Sequence, residues 1–377
     1  MLGPGGYGQD KRLNMDNILA VPAQSEPSWA SEAECITNAD ETPPYCVFTS
    51  HTFANGRGVS ILTTPNRAKT LQRVPAFVDA EAMAGTNLEA SPPFEERVLP
   101  GRGRGLIANK TLHRGDRIFA YSPILVLDED AFQNLDEDKW IALETVAVAK
   151  LPLATRELFW ELHGEPSVHP ISDRIDTNAF EIEIGESTNY IVVPEIARLN
   201  HDCRPNAVYF FDTQTLTHHV HAITDIMPGT EITITYIDPR MPRQQRLTDL
   251  YTSWAFNCSC STCSLHPKLA NASDARLAEI TALTEHLDEG SEASPQIAQA
   301  LVSLHHQERL HGTSTNAYRL AALAFCAQGE HWTTVQYARL AVEFGLLSDG
   351  FRDDGVQLMM RLAEDPEAQT CWSRRRA

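Results

Sequence analysis

The chain has 377 residues, 42% of them hydrophobic and 21% charged, and a formal net charge of −19. Such a length suits about two to three domains or one domain with insertions, and the acidity argues against direct nucleic-acid binding, which needs a concentrated basic surface. No run of about 18 apolar residues marks a membrane span and the opening MLGPGGYGQDKRLNMDN has no apolar secretory core, so an intracellular protein is expected.

Residues 1–45 open on a Gly-, Pro-, Ser- and Gln-rich stretch and are expected as an irregular or disordered lead. In CVFTSHTFANGRGVSILTTP, Cys46 to Pro65, β-branched residues flank a Gly-rich turn, which predicts a hairpin at the head of a β extension and linker over 46–96. Three short strands follow at Leu106–Ala108, Ile118–Ala120 and Ile124–Leu127, punctuated by turns at His113–Asp116 and Ser122–Pro123. Between Glu129 and Gly164 the period changes: Trp140, Leu143, Val146 and Ala147 recur at helical intervals, and Pro152 separates a second helix that Gly164 ends. This is a helical insertion. NAFEIEIG alternates apolar and acidic residues as a half-buried strand does, and NYIVVPEI continues the strand-like text. Three more strands are predicted in AVYFFDTQTLTHHVHAITDIMPGTEITITYID, with turns at Asp212–Gln214 and Pro228–Gly229. From Lys268 the signal is helical. There AYRLAALAFCAQGEHWTTVQYARLAVEFG reads as two amphipathic helices broken at Gly329, like one tetratricopeptide unit. Fewer than about three such repeats rarely stand alone, so residues 268–377 are expected to pack on the β core as a cap or cleft wall. Arg374 to Arg376 form a short basic tail, expected as a solvated end.

RLNHDCRPN, Arg198 to Asn206, crowds an amide, an imidazole and a thiol (Asn200, His201, Cys203) into one turn with Pro205 and Asn206 stiffening its exit. The chain has eight cysteines, enough for four disulfides. Cys258, Cys260 and Cys263 nevertheless lie too close together to pair in relaxed disulfide geometry. They read as thiolates on a metal. Tetrahedral Zn²⁺ wants a fourth donor, for which Cys203 is the candidate. Cys35, Cys46, Cys326 and Cys371, scattered singly, read as buried apolar thiols. In GRGRG, Gly103 and Gly105 allow backbone amides to approach a ligand closely, but no helix opens after them, which excludes a Rossmann reading. In THHVHAI strand alternation puts His219 and His221 on one side and His218 with Val220 on the other, too few imidazoles together for a metal site. His163 and the pair His305 and His306 read as ordinary surface residues. Tyr236 ends a strand ahead of a Pro-rich loop, where a sheet can present a hydroxyl to a cleft.

GRGLIANKTLHRGDRIF, NAFEIEIG, RLNHDCRPNAV, GTEITITYID and NCSCSTC stand in an order that resembles a SET domain lysine methyltransferase with its post-SET cysteines. The nearest likeness is to the SET-MYND branch and related fungal proteins, and it covers Arg97 to Ser264. It implies an α+β fold: a SET-type core of short sheets over 97–257 with the helical insertion at 129–164, a zinc-stapled segment at 258–267 and a tetratricopeptide-like helical region over 268–377. By the same resemblance, Gly103, Arg104, Gly105, Asn178, Asn200, His201, Tyr236 and Phe256 contact S-adenosylmethionine. Tyr236 is the catalytic tyrosine, Tyr251 and Phe256 wall the lysine channel, and Cys203, Cys258, Cys260 and Cys263 hold a structural zinc. The implied partner is a basic protein or peptide, histone tails included. The insertion contains no cysteine, so the MYND finger is absent. Asp202 and Thr230 depart from the family pattern without touching a proposed reacting atom. A SET scaffold that binds without transferring methyl, and a SET fold recruited to a small molecule, remain as rival readings.

Overall fold

The computed structural model describes residues 29, 32–37, 43–79, 81–88, 91–164, 167–288 and 294–373. Most of the expected irregular lead and the Arg374–Arg376 tail lie outside the described residues. The part of the lead that is described is not irregular throughout, because β1 (Glu34–Ile36) pairs antiparallel with β2 (Tyr45–Ser50), Cys35 opposite Cys46. These two cysteines are disulfide-bonded, and so are Cys326 and Cys371. The reading of all four as free thiols is thereby corrected: a cross-strand register and a tertiary contact bring together residues that sequence spacing leaves apart.

A helical turn α1 (Phe53–Gly56) leads into β3 (Val59–Thr63) and the short helices α2 (Pro65–Leu71) and α3 (Pro75–Val78). Strands β4 (Phe94–Leu99), β5 (Gly103–Ala108), β6 (Arg117–Tyr121) and β7 (Leu125–Asp128) precede the inserted helices α4 (Glu129–Asn134), α5 (Glu137–Ala149) and α6 (Leu153–Trp160). The carboxylate of Asp128 caps α4 by accepting from the Asp130 amide, and Pro152 separates α5 from α6. Helix α6 stops four residues short of Gly164. A further helix that the polar text PISDRIDTN did not announce, α7 (Pro170–Asn178), starts on a proline and packs against α5.

Strands β8 (Ala179–Ile184), β9 (Ser187–Val192), β10 (Asn200–His201), β11 (Ala207–Asp212), β12 (Thr217–Ala222) and β13 (Glu231–Ile234) complete the sheets, and α8 (Arg243–Trp254) follows. Beyond it come α9 (Pro267–Asp288), α10 (Pro295–Gln307), α11 (Ser314–Gln328), α12 (His331–Ser348) and α13 (Asp354–Glu364).

The strands form a six-stranded sheet in the order β1-β2-β3-β7-β9-β8, a four-stranded sheet β10-β13-β5-β4 and a three-stranded sheet β11-β12-β6. Strands β2, β3 and β7 are buried along their whole length, in keeping with their largely apolar text. In β8 only Glu181 and Glu183 are exposed, so the predicted alternation is present there. One apolar core lies among the three sheets, a second lies between the six-stranded sheet and α5 to α7, and a third fills the helices from α9 onward. Among the described residues no helix is long and apolar enough to cross a membrane.

Candidate active site

Strand β5 lies between β4 and β13, and β13 in turn pairs parallel with the two-residue β10, Asn200 beside Thr233 and His201 beside Ile234. That arrangement carries the GRG text to the RLNHDC turn. A Cβ at position 105 would sit 2.7 Å from Leu99 Cδ1 and 2.8 Å from both Asn200 Nδ2 and Glu231 Oε1, so any side chain here would push the Asn200 and Glu231 side chains out of place. Asn200 Nδ2 donates to Arg104 O (3.1 Å) and to Glu231 Oε1 (2.8 Å). The other Glu231 oxygen pairs with Arg102 Nε at 3.0 Å, and Arg102 Nη2 donates to the His201 carbonyl at 3.1 Å. Arg102 was not singled out from sequence, because nothing local announces a partner 129 residues away along a neighbouring strand. Gly103 adopts φ +69° beside open space, and Arg104 is exposed with its guanidinium on Glu96.

Tyr236 follows β13 and is tied twice to the Asn200 turn. Its backbone N–H donates to His201 Nδ1 (3.0 Å) and its hydroxyl donates to Leu199 O (2.6 Å). Burial lowers the His201 pKa to about 4, so the ring is neutral at physiological pH. With Nδ1 accepting, the proton sits on Nε2, which lies 3.3 Å from Cys203 Sγ. Burial also pushes the Tyr236 phenol above its ordinary range, so the hydroxyl keeps its proton. Around it the ring of Trp254 lies at 5.2 Å, that of His201 at 5.4 Å and that of Phe256, perpendicular, at 6.4 Å. Ala255 between the two aromatics takes a left-handed φ of 54° that ends α8.

Beside Tyr236 opens a cavity of about 500 Å³, lined by Phe132, Trp140, Asn178, Phe180, Leu199, Tyr209 and Trp254 among others. Asn178 is buried at the end of α7, its amide donating to the carbonyls of His163 and Arg174, both at 2.7 Å. Tyr251, expected in a channel wall, is 59% exposed and absent from this lining. Phe256 is likewise absent from it, whereas Trp254, one helical turn after Tyr251, does line the cavity.

The sulfurs of Cys203, Cys258, Cys260 and Cys263 all lie within 4.8 Å of one another, every one buried. Cys203 and Cys263 are 3.6 Å apart, close to the ~3.8 Å edge of a tetrahedron with Zn–S bonds of ~2.3 Å. Hydrogen bonding among the thiols pulls Cys263 down to about 7 and Cys260 well below the thiol range, while it pushes Cys203 up. The guanidinium of Arg246, 1% exposed, lies against Cys203 and Cys263. Four soft donors, packed closely beside a cation and an imidazole N–H, fit a closed metal site. Among the described residues they are the one group of three or more metal-type donors.

His219 and His221 stack on one face of β12 against Phe210, and His218 turns the other way, fully buried among Phe180, Tyr209 and Phe211. The surface assignment of His305 is corrected: it is buried at 4% exposure, held inside by the helical packing of α10, and its neighbour His306 pairs with the Tyr318 hydroxyl at 2.7 Å.

The model of the SET domain family matches residues 103–237, a span that runs from the start of β5 past the end of β13. Among individual proteins it is similar to the histone-lysine N-methyltransferase set5 of Schizosaccharomyces pombe, 26% identical over 289 residues that span 73% of this chain and 86% of that protein. It is also similar to the N-lysine methyltransferases SMYD2-B of Danio rerio, 36% identical over 24% of this chain, and SMYD2 of Sus scrofa, 28% identical over 37%. Those matches span only 21% and 32% of the two SMYD2 proteins.

Proposed function

We propose that this protein transfers a methyl group from S-adenosylmethionine to lysine side chains of a basic protein segment, histone tails included. The observation that carries the reading is the meeting of Gly105 on β5, Asn200 and His201 on β10 and Tyr236 just after β13, the last of which also lines an aromatic cavity. When bound, S-adenosylmethionine would supply an electrophilic sulfonium methyl open to in-line attack by an amine, with the thioether as the leaving group.

The chain's task is therefore alignment and exclusion of water. Gly103, Arg104 and Gly105 line the donor with backbone, while Asn178, Asn200, His201 and Phe256 hold it. Because the Tyr236 hydroxyl spends its proton on Leu199 O, its lone pairs are left free to accept weak C–H···O contacts that keep a methyl in line. The aromatic walls, Trp254 and Tyr209 included, disfavour a charged ammonium and so help the incoming lysine shed its proton to solvent. No general acid is needed.

Cys203, Cys258, Cys260 and Cys263 hold one zinc ion as scaffold, making 258–267 a post-SET segment that fixes Phe256 over the site. Helices α11 and α12 form a tetratricopeptide-like pair in the wall behind the core. The test incubates the protein with labelled S-adenosylmethionine and a panel of basic peptides, beside Tyr236→Phe. Peptide labelling is expected to fall by about 10²-fold in the variant with donor affinity retained. Donor binding without labelling of any peptide or proteome would sink the transferase reading.

A further inference from the structure

The helices beyond residue 267 reach into the site through one buried carboxylate. Glu308, which closes the C-terminal end of α10, is 4% exposed. Its Oε2 accepts from Arg204 Nη2 at 2.9 Å and from Ser273 Oγ at 2.7 Å, and its Oε1 accepts from Arg276 Nε at 2.7 Å. Arg204 in turn spends every donor edge. Its Nη1 donates to the carbonyls of Cys203 (2.7 Å) and Pro239 (3.1 Å), and its Nε donates to the backbone carbonyl of Glu308 itself. A guanidinium with 2% of its side chain exposed is thus matched on one side by the turn that carries Asn200, His201 and Cys203, and on the other by a helix terminus.

The next residue makes a second reach. Arg309, in a left-handed conformation with φ 54°, donates from Nη2 to Ser261 Oγ at 3.1 Å, between Cys260 and Cys263. One helix end therefore touches both chain segments that supply the thiols. A buried pair of this kind is costly to break from one side, because the surviving charge has no water to turn to. The coordinates of the Asn200–Cys203 turn are accordingly tied to the position of α10.

We propose that Glu308 is a positioning residue. Through Arg204 it sets the turn that presents Asn200 and His201 to the methyl donor, and the helical region is a working part of the donor site. The link to the donor rests on the function proposed above; the mechanical coupling does not.

The test uses the full chain and its Glu308→Gln and Arg204→Lys variants. Amide hydrogen exchange of residues 199–206 is followed in donor-free protein, and S-adenosylmethionine affinity is measured by calorimetry, with KM and kcat alongside. Glu308→Gln is expected to speed exchange of the turn and to raise both Kd and KM for the donor, each about tenfold, with kcat at saturating donor within about twofold. A lower Tm with exchange and donor affinity unchanged overturns the proposal and leaves the pair as a plain staple. Should Glu308→Gln fail to fold, Arg204→Lys, which keeps the charge but not the planar fork, decides by the same readouts. If the wild-type protein binds no donor, the functional reading falls while the exchange data still judge the coupling.

Discussion

The sheets around Tyr236 and the helices from α9 to α13 use their interiors differently. In the helices the buried positions are dominated by small and aliphatic residues: Ala317, Ala321, Ala322, Ala324, Ala338 and Ala341 let α11 and α12 approach closely, with Leu301 and Leu320 between. Around the site, by contrast, polar Asn200, His201, Arg204 and Arg246 are buried or half-buried. There Asn200 is satisfied by Glu231 and the Arg104 carbonyl, His201 by the Tyr236 amide and the Cys203 sulfur, and Arg204 by Glu308. The difference teaches where chemistry is kept: a polar interior is tolerated where each group has a partner, and the apolar interior supplies rigidity. Glu308 is the point where the second region lends a charge to the first.

Stripping the proposed zinc from the four-thiol cluster should break the comparison most sharply. With a strong chelator, the melting temperature is expected to drop by roughly 10 °C or more and donor binding to vanish, while helical circular dichroism persists below the transition. Unchanged melting after elemental analysis shows the metal gone would mean that hydrogen bonds alone hold the thiol loop.

Next in size is Cys326→Ser, which opens the disulfide of the helical region. It should cost about 2–4 kcal/mol in chemical denaturation and leave kcat where it was. A parallel fall in kcat would show that the apolar region governs the chemistry beyond the Glu308 contact.

The smallest effect concerns Glu144 in α5, behind the cavity wall, a buried carboxyl whose Oε2 accepts from Ser172. Burial raises its pKa from 4.5 to about 7 in the folded chain. Between these values the folded protein binds a proton that the unfolded chain has released, so this contribution to stability is present below pH 4.5 and lost as pH rises through 7. Glu144→Gln should therefore exceed the wild type in stability by on the order of 2 kcal/mol at pH 8 and match it only below about pH 4. Parallel pH profiles for the two proteins would show that the carboxyl is already ionised in the fold.

What could be read in advance follows the same division. Asn200, His201, Tyr236 and the four clustered cysteines stood out because such side chains are unusual so close together. The partners that hold them did not. Arg102 and Glu231, or Arg204 and Glu308, are common surface types whose meeting depends on strand register and on helix docking. Strand β8 was legible because one of its faces meets water and its text alternates. Helix α7 was not, since its polar sequence becomes a helix by leaning on α5. The disulfide Cys35–Cys46 joins neighbours in register that the chain separates by 11 residues, a relation only the sheet reveals. Trp254 escaped notice because a helix end turns it inward while Tyr251, on the same helix, stays in solvent.

The parallel pairing of β10 with β13 carries a consequence for the protein's birth. Its two strands cannot meet until the hairpin between them has been synthesised, and the last sulfur, Cys263, comes later still. At ~5–20 residues per second, roughly 8–32 s of translation separate the emergence of Gly103 from that of Cys263. Through that interval a nascent chain on the ribosome holds half of the proposed donor site and no means of closing it.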